Sequence, residues 1–281
     1  MTEQPILVVG GTGKSGGRVA SRLRSRTSAV RVAARSGDVR FDWTDRATWD
    51  PALDGVKSVY VVPLDGALLT RPFVERAVRL GVDRLVLLSG RGVDVPGYAD
   101  DSGAAGATHL DGEDAVRGSG LPWTILRPGW FAQNFSEGFF REAVLAGELR
   151  LPAGDGAASF VDAADIADVA VAALTEDGHA GRTYELSGPR ALTMAGVAAE
   201  ISAVTGREVR YVPLTPDAFV AELVEQGWPE AGAKEYADSV APLRLGKDAY
   251  LSDGVRQALG RPARDFTAFA REAAAAGAWQ A

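Results

Sequence analysis

The sequence predicts an α/β fold built on a doubly wound parallel sheet, with a smaller mixed α/β region behind it. Three observations carry this. Apolar runs of strand length recur at 6–9, 30–34, 58–62, 85–89 and 123–126, helical stretches separate them, and a glycine-rich turn joins the first run to the first helix.

The first element is Ile6-Leu7-Val8-Val9, a buried strand, followed by glycines at 10, 13 and 16 before Val19, Ala20 and Leu23 start a helical stripe. A turn without Cβ atoms lets backbone approach a ligand closely, and the helix behind it offers unpaired N–H groups at the positive end of its dipole. That combination predicts a pyrophosphate site; a plain glycine turn is the alternative. Gly13-Lys14-Ser15 imitates the end of a nucleoside-triphosphate loop, but that motif needs a glycine where Val8 stands.

The second strand, 30–34, ends at Arg35-Ser36. An acid at this place binds the ribose 2′-hydroxyl of NAD, whereas arginine suits the 2′-phosphate of NADP. Arg35, with the Ser36 hydroxyl beside it, therefore predicts NADP(H); the other reading is a solvated arginine at a strand end. A short third strand leads to Phe41-Asp42-Trp43, residues 49–53 read as a brief helix, and the strand at 58–62 is stopped by Pro63. Phe73, Val74, Ala77 and Val78 form a helical stripe before the continuously apolar strand ending at Ser89, a pattern expected where both faces of a parallel strand are covered. Ligands bind beyond the carboxyl ends of such strands, which places Gly10 to Gly16, Arg35, Val62, Pro63 and Ser89 on one rim.

Residues 90–107 read as a long loop, either a mobile lid or plain disorder, with a helix from about Thr108 to Arg117 after it. Trp123 to Leu126 form the next strand. Aromatic density then rises at Trp130, Phe131, Phe135, Phe139 and Phe140, either core or the wall of an apolar substrate pocket. Asp162 and Asp165 open a helix as a cap and a second dipole-favoured acid, and His179 reads as a solvated turn residue. A strand near 183–187, a helix at 195–205, a strand at 209–212 and mostly helix to Gly277 complete the chain. The division predicted is 1–152 for nucleotide binding and 153–281 for a substrate region packed on it, with the strand near 183–187 returned to the first part.

The chain has 281 residues, no cysteine, two histidines and a net charge of −7. Disulfides, thiolate metal sites and a cysteine nucleophile are excluded, a multi-histidine metal site is not expected, and the acidic balance disfavours a nucleic-acid surface. No leader pattern and no long apolar run stand in the sequence, which predicts a cytoplasmic protein off the membrane, acting on a small molecule as a monomer or homodimer.

Read together, Ile6 to Gly17, Arg35, Leu87-Leu88-Ser89, Ser119 to Asn134 and Phe160 to Ile166 resemble the NmrA-like, atypical branch of the short-chain dehydrogenase/reductase superfamily. Phe41-Asp42-Trp43 and Tyr184 to Pro189 look closest to its ergot-alkaloid subgroup, the agroclavine dehydrogenase and festuclavine synthase type. The resemblance implies an NAD(P)-binding Rossmann domain with a small C-terminal substrate domain. It implies that Gly10, Thr12, Gly13, Lys14, Ser15 and Gly16 hold the pyrophosphate, and Arg35 and Ser36 the 2′-phosphate. Asp42 and Trp43 would border the adenine, Val62 and Pro63 the ribose, and Ser89 and Pro128 the nicotinamide end.

One departure bears on mechanism. The superfamily's Tyr-x-x-x-Lys pair is followed four residues later by a glutamate; if Glu113 is that glutamate, His109 and Ala105 stand at the lysine and tyrosine positions. An iminium carbon already carries positive charge and accepts hydride without a proton, so the expected reaction is imine or iminium reduction by NADPH. The alternatives are a quinone or enone reductase and a non-catalytic NADP(H) sensor. His109, expected to be kept neutral by the start of its helix, reads as a proton donor or substrate contact, or as a surface helix residue; Ser89 is the second catalytic candidate. Tyr98 reads as an ordinary loop aromatic or as a group that swings into the site. Trp130 and Phe131 follow directly on the nicotinamide-end residues and are expected to touch substrate, as is Asn134.

Overall fold

A computed structural model describes residues 4–27, 29–98 and 104–280. Seven strands form one parallel sheet: β1 (Ile6–Val9), β2 (Val30–Ala34), β3 (Val39–Arg40), β4 (Ser58–Val61), β5 (Arg84–Leu88), β6 (Trp123–Pro128) and, after two strands outside this sheet, β9 (Arg182–Leu186). Their order is β3-β2-β1-β4-β5-β6-β9, so the chain reverses direction across the sheet between β1 and β4. That reversal opens a crevice at the carboxyl ends, where the glycine turn lies.

Alternation along each strand builds two cores. Leu7, Val9, Val59, Val61, Leu85, Leu87 and Ile125 face one side, where α2 (Trp49–Leu53), α3 (Thr70–Arg79) and α4 (Ala104–Arg117) cover them with Trp49, Phe73, Ala115 and Val116. Val8, Tyr60, Val86, Leu88 and Leu126 face the other, under α1 (Lys14–Arg24) and α6 (Ala163–Thr175) through Val19, Leu23, Ile166 and Val169. The apolar periodicity of the sequence is thus spent on covering both faces.

A third core starts at Ala132 and gathers the rest. It holds α5 (Arg141–Ala146), the parallel pair β7 (Glu148–Leu151) and β11 (Arg210–Pro213), and the antiparallel pair β8 (Ala157–Ala158) and β10 (Leu192–Thr193). Helices α7 (Met194–Thr205), α8 (Pro216–Glu225), α9 (Glu230–Ser239), α10 (Ala241–Arg244) and α12 (Phe266–Ala275) pack around these pairs, while α11 (Gly254–Leu259) returns to the main sheet beside α6 and β9. The two regions interleave: residues 161–174 and 184–186 serve the Rossmann-side core, and 132–160 already belong to the other.

Three expectations are corrected. The helix after β5 begins at Ala104 rather than near Thr108, because Ala104, Ala105 and Ala107 favour helix over loop. Residues 90–98 are held as successive turns, and the rest of the expected lid, 99–103, lies outside the described residues. His179 is buried, with Nδ1 3.0 Å from the Tyr184 hydroxyl, since it sits where the chain turns into β9. Asp162 caps α6 on the Ala164 N–H, and both it and Asp165 also anchor the C-terminal segment through Arg264 and Arg261. Among the described residues no helix is long and apolar enough to cross a membrane.

The buried carboxylate of Glu113 ties α4 to the sheet. It accepts from the Ser89 hydroxyl at 2.6 Å, from Arg127 Nε and Nη2 at 2.7 and 2.6 Å, and from Arg117 at 2.8 Å. Burial alone would raise its pKa, but the Arg127 and Ser89 hydrogen bonds outweigh that and hold it below 4.5. A carboxylate depressed on folding stabilises the fold above its ordinary pKa, and the stabilisation is lost as pH falls through the depressed value. Glu113→Gln, which removes the buried partner of Arg127 and leaves it only Asp94 at 2.7 Å, is expected to cost about 3 kcal/mol in urea unfolding at pH 7. The deficit relative to the parent protein should shrink below pH 4.5.

Candidate active site

The crevice begins at the glycine turn. Gly10 has φ of +70°, and a Cβ there would lie 3.0 Å from that of Val62, so the turn packs directly on the end of β4. A Cβ on Gly16 would come within 2.3 Å of the Gly10 carbonyl oxygen, which only glycine avoids. Gly13 caps α1 without any side-chain acceptor, and no acid stands in the first helical turn. The N–H groups around Lys14, Ser15 and Gly16 are therefore left to an anion. Lys14 Nζ lies 5.1 Å from the Phe139 ring centre, and partial burial lowers its pKa despite Glu137 nearby. Such a close, glycine-lined cradle on a free helix N-terminus fits a dinucleotide pyrophosphate.

The other predicted cofactor residues are disposed unevenly. Arg35 and Ser36 are exposed just past β2, with Ser36 lining the same depression as Gly11 and Thr12. Val62 and Pro63 follow β4, and Pro128 ends β6 with its carbonyl accepting the Arg91 N–H at 3.0 Å. Asp42 is occupied locally, its carboxylate accepting from the Thr44 N–H and hydroxyl at 2.9 and 2.8 Å. Trp43 departs from expectation most. Its indole is buried among Phe41, Trp49 and Phe73, with ring centres 5.1–6.2 Å away, because the edge of the sheet needs it as core.

Just past the carboxyl end of β5, Ser89 is buried and donates its hydroxyl to Glu113, so that hydroxyl is already committed. His109 is a largely buried residue of the second turn of α4, not a surface position and not at the helix start. Its Nε2 is 3.7 Å from Asp65 and its ring adjoins Gly90, while Nδ1 is buried without a hydrogen-bond partner. Burial pushes its pKa below 6.5 against the opposing pull of Asp65 and Glu113, so it is neutral at pH 7 for a reason other than the helix dipole.

Tyr98 is no ordinary loop aromatic. Its hydroxyl bonds the buried Asp248, which also accepts from Trp130 Nε1 at 3.0 Å. Lys247 bonds the Gly97 carbonyl, and Arg91 bonds Ser159 at 2.9 Å and the Tyr250 carbonyl at 2.8 Å. These contacts strap the loop after β5 to the segment before α11. Nothing in the sequence near 248 marks this; only long-range packing creates it.

Of the three expected substrate residues, Trp130 lines a cavity of about 910 Å³ in the second region. Phe131 instead pairs with Val161 and packs toward the sheet, and Asn134 is buried beside Lys14 and Gly138. Neither lines the cavity, since the chain turns through a short 3₁₀ segment at 132–135 that points successive side chains in different directions. Its far wall comes from α8 and α9, where the sequence offered no motif. Among the described residues no cluster of His, Asp and Glu is arranged to hold a metal.

Fold and crevice define a nucleotide-dependent oxidoreductase of the doubly wound class. The pattern described as NAD(P)H-binding matches residues 10–177, and the chain belongs to that family. It is similar to an NAD(P)H azoreductase of Xenophilus azovorans, 37% identical over 96% of this chain and 98% of that one. An agroclavine dehydrogenase of Claviceps fusiformis is 34% identical over 94% and 95% of the two chains. Among solved structures, the NADPH-dependent quinone oxidoreductase QOR2 of Escherichia coli superposes with a TM-score of 0.79 at 26% identity, covering 96% of this chain and 99% of that one.

Gly16→Ala drives a methyl group into the Gly10 carbonyl. It is expected to weaken NADPH binding at least about tenfold by fluorescence titration, while Gly232→Ala, in α9 where a Cβ meets nothing, leaves the constant unchanged.

Proposed function

We propose that the protein is an NADPH-dependent reductase of apolar imines or iminium ions that works without a tyrosine–lysine proton donor. The observation that carries this reading is the state of α4 at the nicotinamide end. Glu113 is locked as a carboxylate against Ser89 and Arg127, and one turn earlier His109 is held neutral by burial. A further turn back stands Ala105, at the tyrosine position if Glu113 is taken as the glutamate that follows the Tyr-x-x-x-Lys pair.

When bound, NADPH supplies a hydride. Residues Gly10 to Gly16 anchor its pyrophosphate through backbone N–H groups, and Lys14 adds charge. Arg35 and Ser36 read the 2′-phosphate. Ser89 and Pro128 border the nicotinamide and exclude water, and Trp130 holds an apolar substrate against it. Hydride addition to C=N⁺ forms a C–H bond, moves the π pair onto nitrogen and leaves a neutral amine, so no protein group must give up a proton; a neutral imine takes its proton from solvent first and reacts as the same cation. Ketone reduction would need such a group, which is normally worth about a hundredfold or more. Support also comes from the agroclavine dehydrogenase likeness, while the QOR2 likeness favours quinone reduction as a second reading.

The test is turnover. With NADPH, an N-alkylated cyclic iminium should be reduced faster than a matched cyclic ketone, followed by loss of reduced-nicotinamide absorbance. A ketone reduced equally well would remove the reading. Arg35→Asp should raise the Kd for NADPH by about tenfold or more and leave that for NADH nearly unchanged, because a charge-assisted phosphate contact becomes repulsion. Equal losses would show that Arg35 does not read the phosphate.

A further inference from the structure

The cavity beyond Trp130 has two properties that the proposed reaction does not by itself require. Its outer wall is made of aromatic faces. Trp228 and Tyr236 stack with ring centres 5.8 Å apart at 21°, and Phe219 meets Tyr236 edge-on at 5.3 Å. Opposite them, Trp130 stacks on Phe140 at 6.0 Å and 19°. Trp228 is 45% exposed, which leaves it at the mouth rather than in the core. The Tyr236 hydroxyl is pushed up to about 12 by burial, so it stays neutral and adds no negative charge of its own.

The charges lining the cavity are mostly negative. Four glutamates, Glu142, Glu148, Glu222 and Glu235, stand against one arginine, and no lysine or histidine lines it. Three of the glutamates are ion-paired: Arg150 is held between Glu148 at 3.1 Å and Glu222 at 2.5 Å, Arg210 also pairs with Glu148, and Arg141 pairs with Glu142 at 2.7 Å. Glu235 makes no ion pair among the described residues and lies next in sequence to Tyr236. A bound anion would face the unmatched Glu235 carboxylate, and a neutral ring would gain contact area alone. A cation gains both the quadrupoles of the ring faces and the charge of Glu235.

From this juxtaposition we infer that the cavity selects organic cations, namely flat or compact apolar molecules bearing a permanent positive charge. The inference rests on the cavity being the substrate site of the proposed reductase, and narrows that reading from imines in general to charged iminium compounds. Trp228 and Tyr236 supply the ring faces and Glu235 the unmatched charge. The selection is a matter of binding and needs no hydride.

It can therefore be tested without turnover. The full-length protein saturated with NADP⁺ is titrated calorimetrically with phenyltrimethylammonium and with tert-butylbenzene, its neutral carbon isostere, neither of which is reducible. The cation should bind about tenfold tighter or more. Trp228→Leu and Glu235→Gln, both at exposed positions, should each remove most of that preference while thermal unfolding and NADPH affinity stay as in the parent. Equal affinities for the two probes would overturn the inference, as would a preference that survives both substitutions. A clear preference in a protein that reduces no iminium would uphold the inference and remove the reaction proposed above. Iminium turnover without the preference would do the reverse.

Discussion

The structure depends on one buried carboxylate. Glu113 has no exposed surface and gathers Ser89 from β5, Arg127 from β6 and Arg117 from its own helix. Two sheet strands and the covering helix are joined at the rim where the chemistry is expected. Taking such a charge out of water is costly unless every lone pair is matched, and here three side chains match it. Arg127 also reaches Asp94 at 2.7 Å, so the same network fixes the start of the loop that straps across to Asp248. The Ser89 hydroxyl, a candidate for catalysis from the sequence, is committed to this lock.

Beyond that anchor lie the glycine turn and a separate cavity. At the glycine turn Gly10 and Gly16 leave no room for side chains and the free N-terminus of α1 faces the crevice. The cavity belongs to the second region, with walls from α5, α8 and α9 and with Trp130 in its lining. The strap through Tyr98, Asp248 and Trp130 couples the loop after β5 to the cavity wall, so the position of Trp130 depends on residues more than a hundred positions away.

Much of the first part was legible because local rules govern it. The alternation in β1, β4 and β5 announces a sheet covered on both faces, and the glycines at 10, 13 and 16 announce the turn. The NAD(P)H-binding family and the reductase class follow from these residues. The second part was hardly legible because it is made by packing between distant segments. Trp43 stands where a resemblance suggests an adenine contact, yet the aromatic cluster with Phe41, Trp49 and Phe73 claims its ring. Phe131 and Asn134 follow Trp130 in sequence but diverge from it in space. Trp228, Tyr236 and Glu235 carry no motif at all, and the burial of His109 comes from packing beside Asp65 and Gly90, which no local pattern announces.

The central claim is that hydride moves to a substrate that needs no proton from the protein. Its most direct test is the pH dependence of hydride transfer to a permanently charged N-alkyl iminium, measured in single turnovers with NADPH and its 4-deuterated form. The account predicts a primary isotope effect and a rate constant that stays flat between about pH 6.5 and 9, since no protein acid takes part. A rate that falls as a single group loses its proton within that range, and that is levelled by His109→Ala, would contradict it.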